Sequence, residues 1–419
     1  MTGTITLEQA NEIIGNLSPL NDIITVNLLN SNGFVLAEDI KSDISSPPFN
    51  KSAMDGYAFK YLENGLYNEK ESKFINIDKT IIQAGDFRDF DKETSFREEN
   101  NNYRCVKIMT GAKVPIWADS VIMVENTFTS EGDENIVSFT KIPKKGSNVC
   151  LHGEDYTEDD ILIKSGTEVT YRVISVLAAA GIAKVKVFRK PKIALFSTGD
   201  EIVEFDEKPG VSQIRNSSAP SLIAQLKNSF NIDVTEYKII KDDRKLLKDT
   251  IVDLLKRNDL VIFTGGASVG DYDYTQEVLD ELDATTYFSS TKIKPGKPAI
   301  FSKVREKGYV FNLPGNPVST MFLFEVYIKQ IIKKLANFSD HKTKLYSGKL
   351  THDVKHKNNR INFINSTVEY LNNEFLVTPV KTNGSADILS YAKANCMIKL
   401  YPEEHIKKAG EVVEFIYIW

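Results

Sequence analysis

The chain has 419 residues, too many for one ordinary core, and length alone points to roughly three domains. Its 42% hydrophobic and 26% charged residues fit a soluble globular protein, and a net charge of −5 argues against a general nucleic-acid binder with a basic face. Three scattered cysteines, Cys105, Cys150 and Cys396, and five histidines form no CxxC or Cys/His cluster, which argues against structural zinc and for reduced thiols.

The N-terminus, MTGTITLEQANEII, has neither a basic start nor an apolar signal core. The longest apolar stretch, 173–183, is about eleven residues against the ~20 that a membrane span needs, so the expectation is a cytoplasmic protein with no membrane contact. A first helix is predicted over Thr6–Leu17, with Thr6 as cap and Leu7, Ala10, Ile13, Ile14 and Leu17 on one face. From Asn21 to about Val149 the pattern changes to short strands and turns, as in a small β-rich domain. A connecting stretch from Gly146 to Ala180 contains a helix candidate at Val173–Ala180.

Residues 185–340 alternate strands with helices, including helices predicted at Pro220–Phe230 and Asp243–Lys256. Such alternation calls for a doubly wound, mostly parallel sheet with right-handed crossovers. After about Lys342 the chain turns strand-like again, and a small closed β-barrel is expected.

Four loops of the 185–340 segment follow directly on predicted strands. KIALFST (192–198) leads into Gly199-Asp200-Glu201, and DVTEYKII (233–240) into Lys241-Asp242-Asp243. DLVIFT (259–264) leads into a glycine-rich loop with Gly265, Gly266, Ser268, Gly270 and Asp273, and YVFNL (309–313) into Pro314-Gly315-Asn316-Pro317. In a parallel sheet all four emerge at the carboxyl edge, where open α/β folds bind ligands. Asn316 and Pro317 suit the cap and first turn of a helix whose free N–H groups could meet a phosphate. Lys294 and Lys297, held apart by Pro295-Gly296, add two ammonium groups suited to oxyanions. The carboxylates Asp200, Glu201, Asp242 and Asp273 would repel a polyanion unless a cation such as Mg²⁺ intervened. An anionic, phosphorylated substrate with a divalent metal is the chemistry these loops point to.

Other motifs are weaker alone. Asp55-Gly56 in PPFNKSAMDGYA reads as a turn that exposes a carboxylate, and Met109-Thr110-Gly111 as a turn able to hold an oxyanion. Gly153-Glu154-Asp155 alone is a solvated acidic turn.

Taken in order, SAMDGYA, MTGAxxP with ADSVIMVE, GED, STGDE, GGASVGDYD, KPGKP and LPGNPVST resemble the molybdopterin molybdenumtransferases, the family that includes the gephyrin E domain. The likeness is firm to about residue 340; beyond it, Asn383-Gly384-Ser385, ILS and Ala394-Asn395 carry it. It implies homodimers of four domains. Here these are 1–27 with 42–53 and 145–180 as an elongated linker and dimerisation domain, 28–41 with 54–144 as a β-rich domain, 181–340 as the α/β molybdopterin-binding domain, and 341–419 as a β-barrel.

The resemblance implies insertion of molybdate into adenylylated molybdopterin in a Mg²⁺-dependent step, with release of AMP and molybdenum cofactor. Catalytic roles fall on Asp55, Thr110, Asp155, Asp242, Lys294 and Lys297, and metal binding on Glu201 and Asp273. Gly265, Gly266, Ser268, Gly270, Pro314, Gly315, Asn316 and Ser385 would shape the substrate pocket. Asp55 and Thr110 would lie across a subunit boundary from that pocket, and a molybdopterin adenylyltransferase is an implied partner. Alternatives are that adenylyltransferase activity itself, whose α/β module shares the GGxSxGxxD loop, or a dimeric scaffold of the gephyrin E-domain type. Charge and size do not separate molybdate from tungstate.

The chain departs from the family pattern at Cys150-Leu151-His152, where many members carry arginines. Asn216 and Ser218 stand where an aspartate and an asparagine are usual, Trp117 replaces a glycine, and Ser290 replaces a lysine, with Lys292 near it.

Overall fold

The computed structural model describes residues 3–61, 73–91, 103–130, 133–139, 144–266, 274–305, 307–355 and 359–418. The chain forms two compact units, one of residues 1–38, 165–174 and 184–419, the other of 39–164 and 175–183.

Among the described residues of the larger unit, seven strands form one sheet. They are β1 (Thr4–Ile5), β2 (Ile193–Thr198), β3 (Glu236–Ile240), β4 (Leu260–Thr264), β5 (Ala284–Thr291), β6 (Pro298–Val304) and β7 (Gly308–Leu313), in the spatial order β1-β5-β6-β7-β4-β2-β3. The pairs β7–β4, β4–β2 and β2–β3 are parallel, as predicted, and β6 is antiparallel to both of its neighbours. Alternate residues of β2 and β4 serve two cores, as the period of two in a strand requires. Ile193, Leu195, Leu260 and Ile262 pack with α1 (Leu7–Gly15), α2 (Ser218–Phe230) and the helical run 317–335, whereas Ala194, Phe196, Val261 and Phe263 pack with α3 (Arg244–Leu254) and α4 (Thr275–Glu281). Phe196 and Phe263 stack at 4.6 Å on the second face.

The predicted helices form where their caps allow. Thr6 closes a capping box, accepting from Gln9 N at 3.2 Å while Gln9 Oε1 accepts from Thr6 N at 2.9 Å. Asp243 accepts from Leu246 N at 2.7 Å and starts α3 one residue later than predicted. The run from Pro317 is α-helical to Leu323, passes through a π turn at Phe324–Ile328 and resumes to Leu335.

Beyond it, β8 (Tyr346–Leu350), β9 (Ile361–Leu371), β10 (Glu374–Pro379), β11 (Cys396–Leu400) and β12 (Val412–Tyr417) pair in the order β9-β10-β8-β12-β11. The β9–β11 pairing closes them into the expected barrel around Val368, Val377, Ile398 and Phe415.

The smaller unit holds a six-stranded sheet among its described residues, with Gly56–Phe59 between Tyr103–Ile108 and Ser120–Met123. Tyr57 and Phe59 face one core, with Cys105 and Ile122; Ala58 faces another, with Val106 and Val121. Burial pushes the Cys105 thiol far up, which keeps it protonated and inert. No helix of the described residues is long and apolar enough to cross a membrane.

In the larger unit Arg189 is clamped by two carboxylates, Asp22 at 2.6 Å and Asp259 at 2.6 Å, and Asp259 also accepts from Lys192 N at 2.7 Å. The bridge fixes the entry into β2. Asp259→Ala leaves a half-buried guanidinium short of a partner and is expected to cost about 2 kcal/mol, the scale of a hydrogen bond to a charged group. Urea unfolding of the purified variant checks this; an unchanged midpoint would show the clamp to be dispensable.

Candidate active site

The three parallel pairings put Thr198 opposite Ile240, Ser197 opposite Thr264, and Thr264 opposite Leu313. The strands therefore end in one row, and the loops that follow share the carboxyl edge of the sheet. A cleft of about 780 Å³ opens there, lined by Thr198, Glu201, Gly265, Gly266, Gly315 and Asn316 among others.

Glycine is required at 265, where φ is +99° and an added Cβ would lie 2.2 Å from the Thr198 carbonyl oxygen. The close approach lets the loop after β4 lie against the end of β2. Its carbonyl is held from the other side by Asn312 Nδ2 at 2.7 Å, and the Gly266 carbonyl by Thr275 Oγ1 at 2.8 Å. At Gly315 the situation is reversed: a Cβ would meet nothing within 4 Å, so the space above it is left open in the cleft.

Glu201 lines the cleft, and the absence of a side chain at Gly199 makes room for it, since a Cβ there would stand 2.7 Å from the Glu201 carboxylate. Asp242 is brought to the same edge by Thr198, whose hydroxyl donates to its Oδ1. Asp200 is exposed and is not among the lining residues. Ser268, Gly270 and Asp273 lie outside the described residues. Among the described residues no group of three or more His, Cys, Asp or Glu side chains gathers as a metal cluster.

Asn316 occupies the cap position of the helix beginning at Pro317, but its side chain makes no cap bond; Nδ2 donates instead to Ser385 Oγ at 3.1 Å. That contact joins the loop of the C-terminal barrel to the cleft, and Ala386 and Ile388 complete the wall. Pro314 lines it too, its carbonyl accepting from Thr320 Oγ1 at 2.7 Å. Lys294 and Lys297 are exposed and absent from the lining, although Pro298 beside them is part of it. Lys294 pairs with the start of β9, where Arg360 donates to the Ile293 carbonyl at 3.1 Å.

Sequence reasoning passed over Arg215. Ile214 N donates to the Glu201 carbonyl at 2.8 Å and Arg215 pairs with Val203, which sets its guanidinium stem along the cleft with Nε on the Glu207 carbonyl at 2.8 Å. The signal was its position directly after a β-type residue in a loop between strand and helix. Asn216, in place of the usual aspartate, is buried: its amide donates to Ser197 Oγ at 2.8 Å and Tyr237 OH at 2.9 Å, and its Oδ1 accepts from Ala219 N at 3.1 Å. It braces the loop that carries Arg215.

In the smaller unit Asp55 and Thr110 meet. Asp55 Oδ1 accepts from Thr110 N and Thr110 Oγ1, both at 2.7 Å, and these bonds hold its carboxyl below the usual range. Gly56, which opens the strand after Asp55, permits close approach to the neighbouring strand, because a Cβ there would sit 1.9 Å from the Ile122 carbonyl oxygen. Asp155 is on a different loop, accepting from Ser46 Oγ at 3.2 Å. Cys150, in the segment where arginines are usual, pairs with Lys51; desolvation and the Glu154 carboxylate raise its thiol pKa, so it offers no thiolate.

Comparison with known proteins agrees along the whole chain. Residues 5–181 match the MoeA N-terminal region (domain I and II), 194–334 the "Probable molybdopterin binding domain", and 347–418 the MoeA C-terminal region (domain IV). The molybdopterin molybdenumtransferase of Staphylococcus epidermidis is 33% identical over 394 residues, 94% of this chain and 90% of its own. That of Staphylococcus aureus is 31% identical over 413 residues, 98% and 95% of the two chains. A crystal structure of a molybdopterin biosynthesis MoeA protein from Pyrococcus horikoshii superposes with a TM-score of 0.77 at 26% identity, covering 99% of each chain. The glycine cradle, the acidic strand ends and the closed C-terminal barrel are thus those of a chain that belongs to the MoeA family.

Proposed function

We propose that this protein is the molybdenum-inserting transferase of molybdenum cofactor biosynthesis, taking molybdate and adenylylated molybdopterin and releasing AMP with the finished cofactor. The observation that carries the reading is the cleft at the sheet's carboxyl edge. There Gly265 brings backbone against backbone, Gly315 leaves open space, and an acidic and a basic side chain, Glu201 and Arg215, share the wall. An enzyme of the adenylyltransferase type would need the α/β module alone, whereas this chain also matches the N-terminal and C-terminal MoeA regions.

Within the cleft the loops after β4 and β7 would seat the phosphate and nucleotide, and Arg215 would meet its charge. Glu201 and Asp242 supply hard oxygen donors at one edge, which suits Mg²⁺, a cation that takes one or two carboxylates together with substrate phosphate oxygens. With Asp273 they would hold it, and the bound ion would neutralise phosphate charge. Lys294 and Lys297 would attract molybdate. Joining molybdenum to the two dithiol sulfurs breaks two S–H bonds, and their protons leave with one displaced oxo oxygen as water; a further water cleaves the phosphoanhydride to free AMP. Asp55, kept ionised by Thr110, suits the role of proton acceptor and relay rather than of acid. We place it, with Thr110, in a homodimer where each subunit's Asp55 serves the partner's cleft.

Purified protein given Mg²⁺, molybdate and adenylylated molybdopterin is expected to release AMP, and chelation of the metal to stop it. Asp242→Ala should slow release about ten- to hundredfold, as losses of ligand-holding groups do. Folded protein that yields no AMP above background at any molybdate concentration would overturn the assignment.

Thr110→Val removes one of the two bonds to Asp55, so its pKa rises and the ionised form is lost at higher pH. The acid limb of the pH–rate profile should shift upward in the variant; a superimposable limb would show that Asp55 does not titrate in the reaction.

Asp55→Asn and Asp242→Ala chains, each impaired alone, should on mixing and reassociation in equal amounts reach about a quarter of the wild-type activity per chain, because a two-fold dimer then has one intact site in each mixed pair. No rise above the mean of the separate variants would place all catalytic groups within one subunit.

A further inference from the structure

A second cavity, of about 540 Å³, opens in the larger unit between the end of α2, the run 317–335 and the segment 341–346. Its size falls in the range of roughly 300–1,000 Å³ typical of small-molecule sites. Among the described residues none lines both this cavity and the cleft at the sheet edge.

Two buried polar side chains line it. Glu325, 4% exposed and set in the π turn, accepts from Lys329 Nζ at 2.5 Å and from Gln225 Nε2 at 3.1 Å. Gln330, 1% exposed, commits its amide nitrogen to Asn11 Oδ1 at 3.1 Å, to Thr343 Oγ1 at 3.2 Å and to the Val326 carbonyl. Its Oε1 is buried without a hydrogen-bond partner. A buried carbonyl left unpaired costs about 1–3 kcal/mol and calls for a donor, and π turns gather at functional sites.

The remaining lining supplies charge and flat apolar surface. Lys333 and Lys342 have no carboxylate in ion-pair reach among the described residues, unlike Lys344, which reaches Asp340 at 3.2 Å. Burial, followed by the charges of Lys334 and Lys342, holds the His341 imidazole below its ordinary pKa. Tyr346 and Tyr417 meet edge to face at 5.0 Å, with Phe230 also in the wall.

We propose that this cavity is a binding site for a nucleoside phosphate, separate from the catalytic cleft. The unpaired Gln330 oxygen takes an N–H of the base, the tyrosine and phenylalanine surface takes its ring, and Lys333 with Lys342 takes the phosphate. A bare anion would satisfy only the lysines, and an apolar ligand only the rings. A molecule with a donor edge, a flat ring and a phosphate answers all three.

Equilibrium dialysis of the full chain with labelled AMP tests this. Two classes of site per chain are expected, and the Lys333→Ala/Lys342→Ala double variant should weaken one of them about tenfold or more, equivalent to ~1.4 kcal/mol, while molybdenum insertion stays unchanged. Ribose 5-phosphate and inorganic phosphate, lacking the ring, should compete for that class about tenfold less well than AMP. Neither lysine bears an ion pair among the described residues, and an unchanged thermal midpoint confirms that the double variant is folded. Identical AMP affinity and stoichiometry in wild type and double variant would overturn the proposal. So would displacement of AMP by equimolar inorganic phosphate.

Discussion

Parallel pairing of β7, β4, β2 and β3 is the constraint on which the cleft depends. Parallel neighbours cannot be joined by a tight turn, so each strand must be followed by a crossover, and every crossover leaves from the same edge. The pairing of Thr198 with Ile240, and of Thr264 with Leu313, then fixes where each loop starts to within a residue. A slip of one residue would exchange Phe196 and Phe263 for their neighbours on the wrong face of the sheet, so the two cores lock the register that the site needs.

Hydrogen bonding then converts a row of strand ends into a shaped surface. Asn312, buried within β7, reaches across to the Gly265 carbonyl, and Thr198 at the end of β2 reaches Asp242. Asn216 ties the loop before α2 to Ser197 and Tyr237. These are side chains of strands and their first following residues, short and rotamer-limited, and they hold loops that would otherwise wander. The Asp55–Thr110 pair in the smaller unit is built the same way, with a carboxylate just before a strand held against a backbone N–H and a hydroxyl.

Much of this was legible in the sequence, for identifiable reasons. Three of the strands before the four loops are largely apolar runs ended by Gly or Pro, the fourth is a mixed run ended by Lys241-Asp242, and the helices carry Thr6 and Asp243 as caps, so element type and order followed from local chemistry. What local chemistry does not contain is partner choice. Asn316 looked like a helix cap, yet its amide turns to Ser385, a residue 69 positions away. The Thr4–Ile5 strand, too short to show a period, owes its existence to the edge of β5. Lys294 and Lys297 were grouped with the cleft because they lie between its loops in sequence; both are exposed, and Pro298 beside them is the residue of that turn in the lining. Arg215 was missed because a single basic residue in a loop looks like surface until a neighbouring strand fixes its register.

The open space above Gly315 has a practical side. Gly265, in its tight turn, rejects any side chain, but at Gly315 the scaffold itself raises no steric objection. A thiol planted there by Gly315→Cys would stand in the wall of the cleft on an undistorted backbone. That makes the position a handle for tethering reporters or covalent blockers, through which occupancy could be followed without disturbing the groups that perform the chemistry.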